Sequence, residues 1–293
     1  MDDQPRTVRN FSKVHSGFCF EIREWRLDPA TGRLDPGTLA PLLDERVRLV
    51  CFPHCSNVVG EVNDVAAITA MAHQVGAAVC IDGVSYAPHG LPDVDALGPD
   101  VYLFSTYKTY GPHQGAMVVR RGLAAQLPNQ GHFFNAGFPE KRLTPAGPDH
   151  AQVAACAGIA DYLDALHAHH FADDPAPAER AVRVHDLQRA HETRLLAPFL
   201  AWLAERRDLR LLGPATPRTR VPTVALHLDR PGEAVAAALA PHGIMAGGGH
   251  FYAVRPLRAL GIDPDHGVLH LSFVHYTHPS EIDRLTAALD AVL

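Results

Sequence analysis

Lysine is scarce in this 293-residue chain, because only three of its 26 lysine and arginine residues are lysines. No apolar run approaches the roughly 20 residues that span a membrane, and the first 20 residues lack the apolar core of a signal peptide. The net charge is −6, the isoelectric point is near 6.3, and no cluster of basic residues stands out. These absences argue against membrane and nucleic-acid partners, and the composition is that of an ordinary globular protein.

Cysteine is also sparse, and no CxxC pair occurs. The five cysteines are Cys19, Cys51, Cys55, Cys80 and Cys156. An odd number without a pairing pattern favours a reduced, cytoplasmic location. The histidine-rich stretch at 167–171 has no companion carboxylates or cysteines in a ligand pattern, so no metal site is predicted there.

Strand-like and helix-like periods alternate over the first 120 residues. Short apolar runs that predict strands occupy 47–52, 77–81, 101–105 and 116–120. A helix is predicted between Asp64 and Gly76, since its apolar residues recur at helical spacing. This alternation predicts the α/β class, with a largely parallel sheet flanked by helices.

The second half of the chain has a different pattern, which predicts a smaller C-terminal α+β domain. A linker at 172–179 is predicted to separate a large domain, residues 1–170, from this small domain, residues 178–293. Strands of the small domain are predicted near 209–212, 222–228, 243–246 and 267–274. The glycine triplet at 247–249 predicts a turn or a close approach of two backbones rather than a phosphate site.

Lys108 and Asp82 are the residues in the sequence most suggestive of chemistry. Asp82 ends one predicted strand and Lys108 follows the end of another, at the sheet edge where α/β proteins bind ligands. A carboxylate beside a primary amine suits pyridoxal phosphate chemistry, in which the lysine forms a Schiff base and the carboxylate keeps the ring nitrogen protonated. From spacing alone, a solvated loop lysine and a capping aspartate remain the alternative interpretation.

The stretch at 54–115 combines SN, DG, S-x-x-K and GP at fixed separations, and it resembles the core of the class V aminotransferase family. This cysteine desulfurase-like group belongs to the fold type I pyridoxal phosphate enzymes, and the resemblance continues to the C-terminus. It implies that Lys108 carries pyridoxal 5'-phosphate as an aldimine and that Asp82 partners the pyridine nitrogen. Ser105 would hydrogen-bond the cofactor phosphate.

Three further positions are implied by the same resemblance. Asn57 would contact the phenolate side of the cofactor or the substrate carboxylate. Ser85 stands where relatives have a glutamine or histidine near the phenolate, and Tyr107 stands where many have a histidine before the lysine. The resemblance also implies an amino-acid-like substrate and a homodimer.

The sequence departs from the family pattern at several positions. Tyr252 falls where cysteine desulfurases have their nucleophilic cysteine, and a phenol cannot carry a persulfide, so true cysteine desulfuration is not expected. His270 replaces the arginine that grips the substrate carboxylate, with Arg255 or Arg258 as substitutes. Pro148 replaces a threonine that reaches the cofactor phosphate of the partner subunit.

The largest departure is that the family's N-terminal part, including its phosphate-binding loop, is not recognisable before this segment. We expect such a sheet to expose an edge or apolar faces unless something else covers them. Three explanations for this departure stay open. The chain is an incomplete gene product, a split enzyme whose N-terminal part is on another chain, or a degenerate relative. Two functions follow, a pyridoxal phosphate enzyme of transferase or lyase type and a non-catalytic or split family member.

Overall fold

Two four-stranded sheets form the framework in the computed structural model, which describes residues 20–144 and 147–293. The first sheet contains β1 (Leu49–Pro53), β2 (Ala78–Asp82), β3 (Val101–Ser105) and β4 (Gly115–Val119). The second contains β5 (Leu209–Leu211), β6 (Thr223–Leu228), β7 (Gly247–Gly249) and β8 (Val268–Ser272). They lie on either side of the expected domain boundary near residue 170, which itself remains a prediction.

Helices connect and cover these strands. Those before the second sheet are α1 (Pro36–Leu39), α2 (Val65–Gln74), α3 (Val94–Leu97), α4 (Arg121–Gln126), α5 (His150–Ala155), α6 (Ala157–His170) and α7 (Pro177–Ala204). The later ones are α8 (Gly232–Leu239), α9 (Val254–Ala259) and α10 (Pro279–Val292). Within the described ranges, no helix combines the length and apolar character needed to cross a membrane.

The first sheet is mostly parallel, as the alternation of strands and helices predicts. Strands β1, β2 and β3 run parallel in that order, and β4 pairs antiparallel with β3. The crossover helix α2 begins where the Asp64 carboxylate accepts a hydrogen bond from Ala67 N at 3.0 Å, and it ends before Gly76, which has a φ of +78°. The predicted bounds of this helix are therefore confirmed.

One face of the first sheet is packed and the other is open. Alternate strand residues such as Phe52, Ile81 and Tyr102 are buried against α1 and α2. The residues between them point the other way, and there Leu49 and Met117 are each 49% exposed. The open face agrees with the expectation that this sheet exposes apolar surface in the part of the chain described.

The second sheet is antiparallel in the order β5-β6-β8-β7, and it packs against α7, α8 and α10. The predicted strand at 243–246 is wrong, because the strand that pairs with β8 is Gly247–Gly249 instead. A Cβ atom on Gly248 would lie 2.1 Å from the backbone nitrogen of Glu233 in α8. The glycines therefore permit the close backbone approach that the sequence predicts, but inside a strand rather than a turn.

Candidate active site

Asp82 and Ser105 lie on the same side of the first sheet, at its carboxyl edge. Asp82 is in register with Leu103 of β3, and Ser105 is two residues further along that strand. Side chains two residues apart in a strand point to the same face. Because neighbouring strands lie about 4.8 Å apart and each residue advances about 3.3 Å, the Cα atoms of Asp82 and Ser105 are about 8 Å apart. The exposed carboxylate of Asp82 accepts a hydrogen bond from Val84 N at 3.0 Å. Asp82 is therefore a turn residue whose carboxylate also faces solvent, and its role toward a cofactor stays a prediction.

Lys108 ends a short 3-10 turn that follows β3 directly. Thr106 anchors this turn, because its hydroxyl donates to Pro112 O at 2.6 Å and its N–H donates to Gln114 O at 2.9 Å. The hydroxyl of buried Thr109 donates to Thr106 O at 3.0 Å. The turn is thus held by its threonines, while the amine of Lys108 stays exposed.

Asn57, in the turn that follows β1, is hydrogen-bonded to the second sheet and to the segment that follows β7. Asn57 Nδ2 donates to Phe251 O at 2.8 Å, and His270 Nε2 donates to Asn57 O at 3.0 Å. Burial lowers the pKa of His270, the hydrogen bond to Asn57 opposes this shift, and the positive charge of Lys108 lowers the pKa further. The Lys108 charge therefore acts on the same imidazole that Asn57 orients.

The remaining predicted site residues differ in solvent exposure and in the residues that they contact. Ser85 is half-buried in the turn that follows β2. Tyr107 is 45% exposed, and its ring stacks on His113 with 4.3 Å between ring centroids. Arg255, on α9, forms an ion pair with Glu24 at 3.2 Å. The side chains of Tyr107 and Arg255 therefore each have a partner within this chain.

Sequence reasoning missed His54, which follows β1 at the same carboxyl edge. The backbone N–H of His54 donates to the backbone oxygen of Asp82 at 2.8 Å. Its imidazole ring stacks on the Tyr86 ring with 3.7 Å between centroids, and its Nδ1 accepts a hydrogen bond from Tyr102 Oη at 2.8 Å. Burial, aided by the charges of His185 and Arg189, lowers the pKa of His54 to about 3. The available signal was its position two residues after the strand predicted at 47–52.

Gly83, the glycine of the DG pair, has a packing reason in this network. A Cβ atom at position 83 would lie 2.2 Å from the Tyr102 ring, which is buried and held by His54. The glycine therefore allows Tyr102 to pass beside the residue that follows Asp82. Local packing explains why no larger residue fits after this aspartate.

Known proteins resemble this chain over most of its length. The family model described as Aminotransferase class-V matches residues 16–139. An aminotransferase-like protein of Gibberella zeae is 34% identical over 89% of this chain and 63% of its own length. A cysteine desulfurase of Dickeya dadantii is 32% identical over 89% of this chain and 61% of its own length. These matches support the predicted assignment to the class V aminotransferases, cysteine desulfurase-like group.

The structural comparison bears on the predicted fold class. A crystal structure of a cysteine desulfurase from Escherichia coli matches with a TM-score of 0.71 and 24% identity, covering 90% of this chain and 63% of that one. The predicted family and the predicted fold class, with its mostly parallel sheet and flanking helices, are therefore confirmed. The chain spans about three fifths of the length of these relatives.

Pyridoxal phosphate is the cofactor of the class V family, as predicted, and the residues at the carboxyl edge fit it. The amine of Lys108 and the carboxylate of Asp82 are both exposed, and Ser105 supplies a hydroxyl on the same side as Asp82. An amine, a carboxylate and a hydroxyl match the aldehyde, ring nitrogen and phosphate of this cofactor. The donor set is thus chemically suited to the group.

The positions that depart from the class V pattern differ in exposure, and His270 is partly buried. Tyr252 is 98% exposed with a φ of +62°, next to Phe251 with a φ of +48°. A positive φ is unfavourable for residues other than glycine, so these two successive residues store backbone strain. Pro148 and Arg258 are also exposed. These side chains are accessible to a ligand or a partner, and their roles remain predictions.

We expect protonation of His54 to make the stability of the chain pH-dependent. The unfolded histidine binds a proton below pH 6.5, whereas the folded one does so only near pH 3, so this stabilisation is complete above pH 6.5 and is lost as the pH falls towards 3. The loss approaches about 1.4 kcal/mol per pH unit. Urea unfolding of the wild type and His54→Gln at about pH 7 and about pH 5.5 measures it. The variant should lose less stability between the two pH values, and equal losses would contradict this account.

Proposed function

We propose that this chain holds pyridoxal phosphate on Lys108 and acts on an amino-acid-like substrate. The observation that carries the proposal is the exposed amine of Lys108 on a turn anchored by Thr106, at the sheet edge where Asp82 ends β2. When bound, the cofactor supplies an electron sink for a carbanion at the substrate Cα. The chain's own groups would bind and orient it and would move the protons.

Lys108 would have two roles in this proposal. Its Nζ would hold the cofactor covalently before the substrate arrives, and afterwards the freed amine would take or return the proton at the substrate Cα. Thr106 and Thr109 fix the backbone on either side, so the amine moves on its own side chain rather than with the loop. This arrangement suits a group that must both bind and transfer a proton.

Asp82 and Ser105 would orient the cofactor. The hydrogen bond from Val84 N occupies Asp82 Oδ1, so the second carboxylate oxygen would be the one to pair with the cofactor's ring nitrogen. Ser105, on the same side of the sheet, would donate its hydroxyl to the phosphate. Ser85 and Tyr107 would complete the cofactor contacts as the family resemblance implies.

The substrate carboxylate is proposed to bind near Asn57. His270 already donates Nε2–H to Asn57 O, and its lowered pKa favours the neutral ring, which offers only an acceptor at Nδ1. His270 would therefore position Asn57 at neutral pH rather than grip a carboxylate by charge. Arg255 would serve a substrate only after leaving Glu24.

Cysteine desulfuration is not part of this proposal. Tyr252 stands where the resemblance implies the sulfur-accepting cysteine, and the last cysteine in the sequence is Cys156. A thiolate attacks and stores sulfur, whereas a phenol does neither. The reaction type among lyase, transaminase and epimerase chemistry stays open, and homodimeric assembly is proposed with it.

Exchange of the substrate α-proton tests the proposed function. The chain is mixed with pyridoxal phosphate and a panel of L-amino acids in D₂O, and deuterium at Cα is followed by NMR. We expect exchange of at least one amino acid above the level of free cofactor, and no excess sulfide from L-cysteine. Exchange equal to that of free cofactor for the whole panel would contradict catalysis, and excess sulfide would contradict the exclusion of desulfuration.

A second candidate is a non-catalytic member, or one that needs another chain to supply a phosphate-binding region. The open apolar face of the first sheet favours it, since Leu49 and Met117 are half-exposed there. The two candidates differ in one result. Cofactor held on Lys108 without α-proton exchange favours the second, whereas exchange by the chain alone favours the first.

A further inference from the structure

Two cysteines lie side by side on the open face of the first sheet. Cys51 of β1 is the register partner of Cys80 of β2. Register partners in neighbouring strands point to the same face, and strands lie about 4.8 Å apart. That spacing falls within the range of about 4.4–6.8 Å between the Cα atoms of disulfide-bonded cysteines. The backbone therefore brings the two thiols within bonding reach.

The two thiols differ in accessibility and in acidity. Cys51 is exposed, whereas Cys80 is partly covered. The Cys80 thiol donates a hydrogen bond to Cys51, which lowers the pKa of Cys51 and raises that of Cys80. The nearby Asp82 carboxylate raises the pKa of Cys80 further. Cys51 is thus the better nucleophile, and Cys80 remains a protonated neighbour.

The other described cysteines lack this arrangement. Cys55 is buried, and burial raises the pKa of its thiol to about 12. Cys156 lies on the helical segment after residue 150, and its thiol donates to Gln152 O at 3.4 Å. Among residues 20–144 and 147–293, no group of three or more potential ligands could hold a metal ion. The paired thiols are therefore better suited to oxidation than to metal binding.

We propose that Cys51 and Cys80 form a dithiol modification site that a hydroperoxide converts into a cross-strand disulfide. The Cys51 thiolate attacks the peroxide, the O–O bond breaks, and sulfur is oxidised to a sulfenic acid while water or an alcohol leaves. The Cys80 sulfur then attacks the Cys51 sulfur, the S–S bond forms, and the S–O bond breaks. The released hydroxide takes the Cys80 proton and leaves as water. Two thiols and one hydroperoxide thus give one disulfide, one water from the second step, and from the first step either another water or the alcohol of the hydroperoxide.

Oxidation of the whole chain by hydrogen peroxide tests this site. Digestion after lysine, arginine and glutamate separates residues 49–61 from 62–108, and fragmentation distinguishes Cys51 from Cys55. We expect these peptides to become linked through Cys51 and Cys80, with a loss of two hydrogens, while Cys55 and Cys156 stay reduced. Recovery of Cys51 and Cys80 as thiols after Cys156 has been oxidised would overturn the proposal, as would linkage of Cys51 only to a second copy of the chain.

Three variants separate the two steps. In Cys80→Ser, oxidation should stop at a sulfenic acid on Cys51 that dimedone traps. In Cys51→Ser, Cys80 should react no faster than Cys156, and the matched control Cys156→Ser should keep the wild-type linkage. Equal rates of Cys80 oxidation with and without Cys51 would contradict the order of attack. The disulfide itself is detected in the wild-type chain, so the proposal can still be tested if a variant fails to fold.

Discussion

Lys108→Ala removes the visible absorption band that develops when the chain is mixed with pyridoxal phosphate. The expected loss is complete, because Lys108 supplies the amine at the carboxyl edge of the first sheet and alanine offers no nucleophile. Asp82 and Ser105, in their proposed roles, would offer the cofactor only non-covalent contacts. Titration with pyridoxal phosphate, followed by visible absorbance, measures the effect.

Lys141→Ala is the matched control for this prediction. Lys141 is also exposed, and its ammonium lies 4.9 Å from the centre of the Phe138 ring. Its removal should leave the band unchanged, because the contact of its ammonium is with the Phe138 ring and not with Asp82 or Ser105. Equal spectra for wild type and Lys108→Ala, or loss of the band only in Lys141→Ala, would remove Lys108 from the site.

Glu192→Ala is expected to produce the largest loss of stability. Glu192 is fully buried on α7, where it accepts hydrogen bonds from His89 Nδ1 at 2.8 Å and from Arg189 Nη1 at 3.1 Å. His89 belongs to the turn after β2, so this carboxylate ties α7 to the first sheet. Its removal leaves buried polar partners without a counter-charge, which costs about 3–5 kcal/mol. Urea unfolding measures the change.

Asp186→Ala provides the comparison on the same helix. Asp186 contacts His185 Nδ1 at 3.1 Å, but its side chain is 74% exposed. Exposed pairs contribute at most about 1 kcal/mol, so this variant should unfold close to the wild type. If the two variants lose the same stability, burial of the Glu192 pair is not what holds α7 in place.

Local signals made much of the first sheet predictable. The Asp64 cap, Gly76 and the alternation of short apolar runs with a helix predict β1, α2 and β2, and the structure has them. Parallel strands bring their carboxyl ends together, which is why Asp82 and Ser105 could be assigned to one edge. These features depend on neighbours in sequence or on one general rule of sheet geometry.

Contacts between residues that are far apart in the sequence could not be predicted from local patterns. The pairing of Asn57 with His270 joins residues 213 positions apart, and the contact of His89 with Glu192 joins residues 103 apart. The partner of Arg255 is Glu24, which no spacing relates to it. Such pairs depend on how α7 and the second sheet pack against the first, and a single sequence holds no local signal for that packing.

The most direct test of the central claim is chemical mapping of the cofactor on the wild-type chain. Borohydride fixes the lysine-bound cofactor irreversibly, and peptide sequencing by mass spectrometry then locates the modified residue. We expect one modified residue, Lys108, at one equivalent per chain. Modification of Lys141 or of the N-terminal amine in place of Lys108, or no modification above that of the unfolded chain, would contradict it.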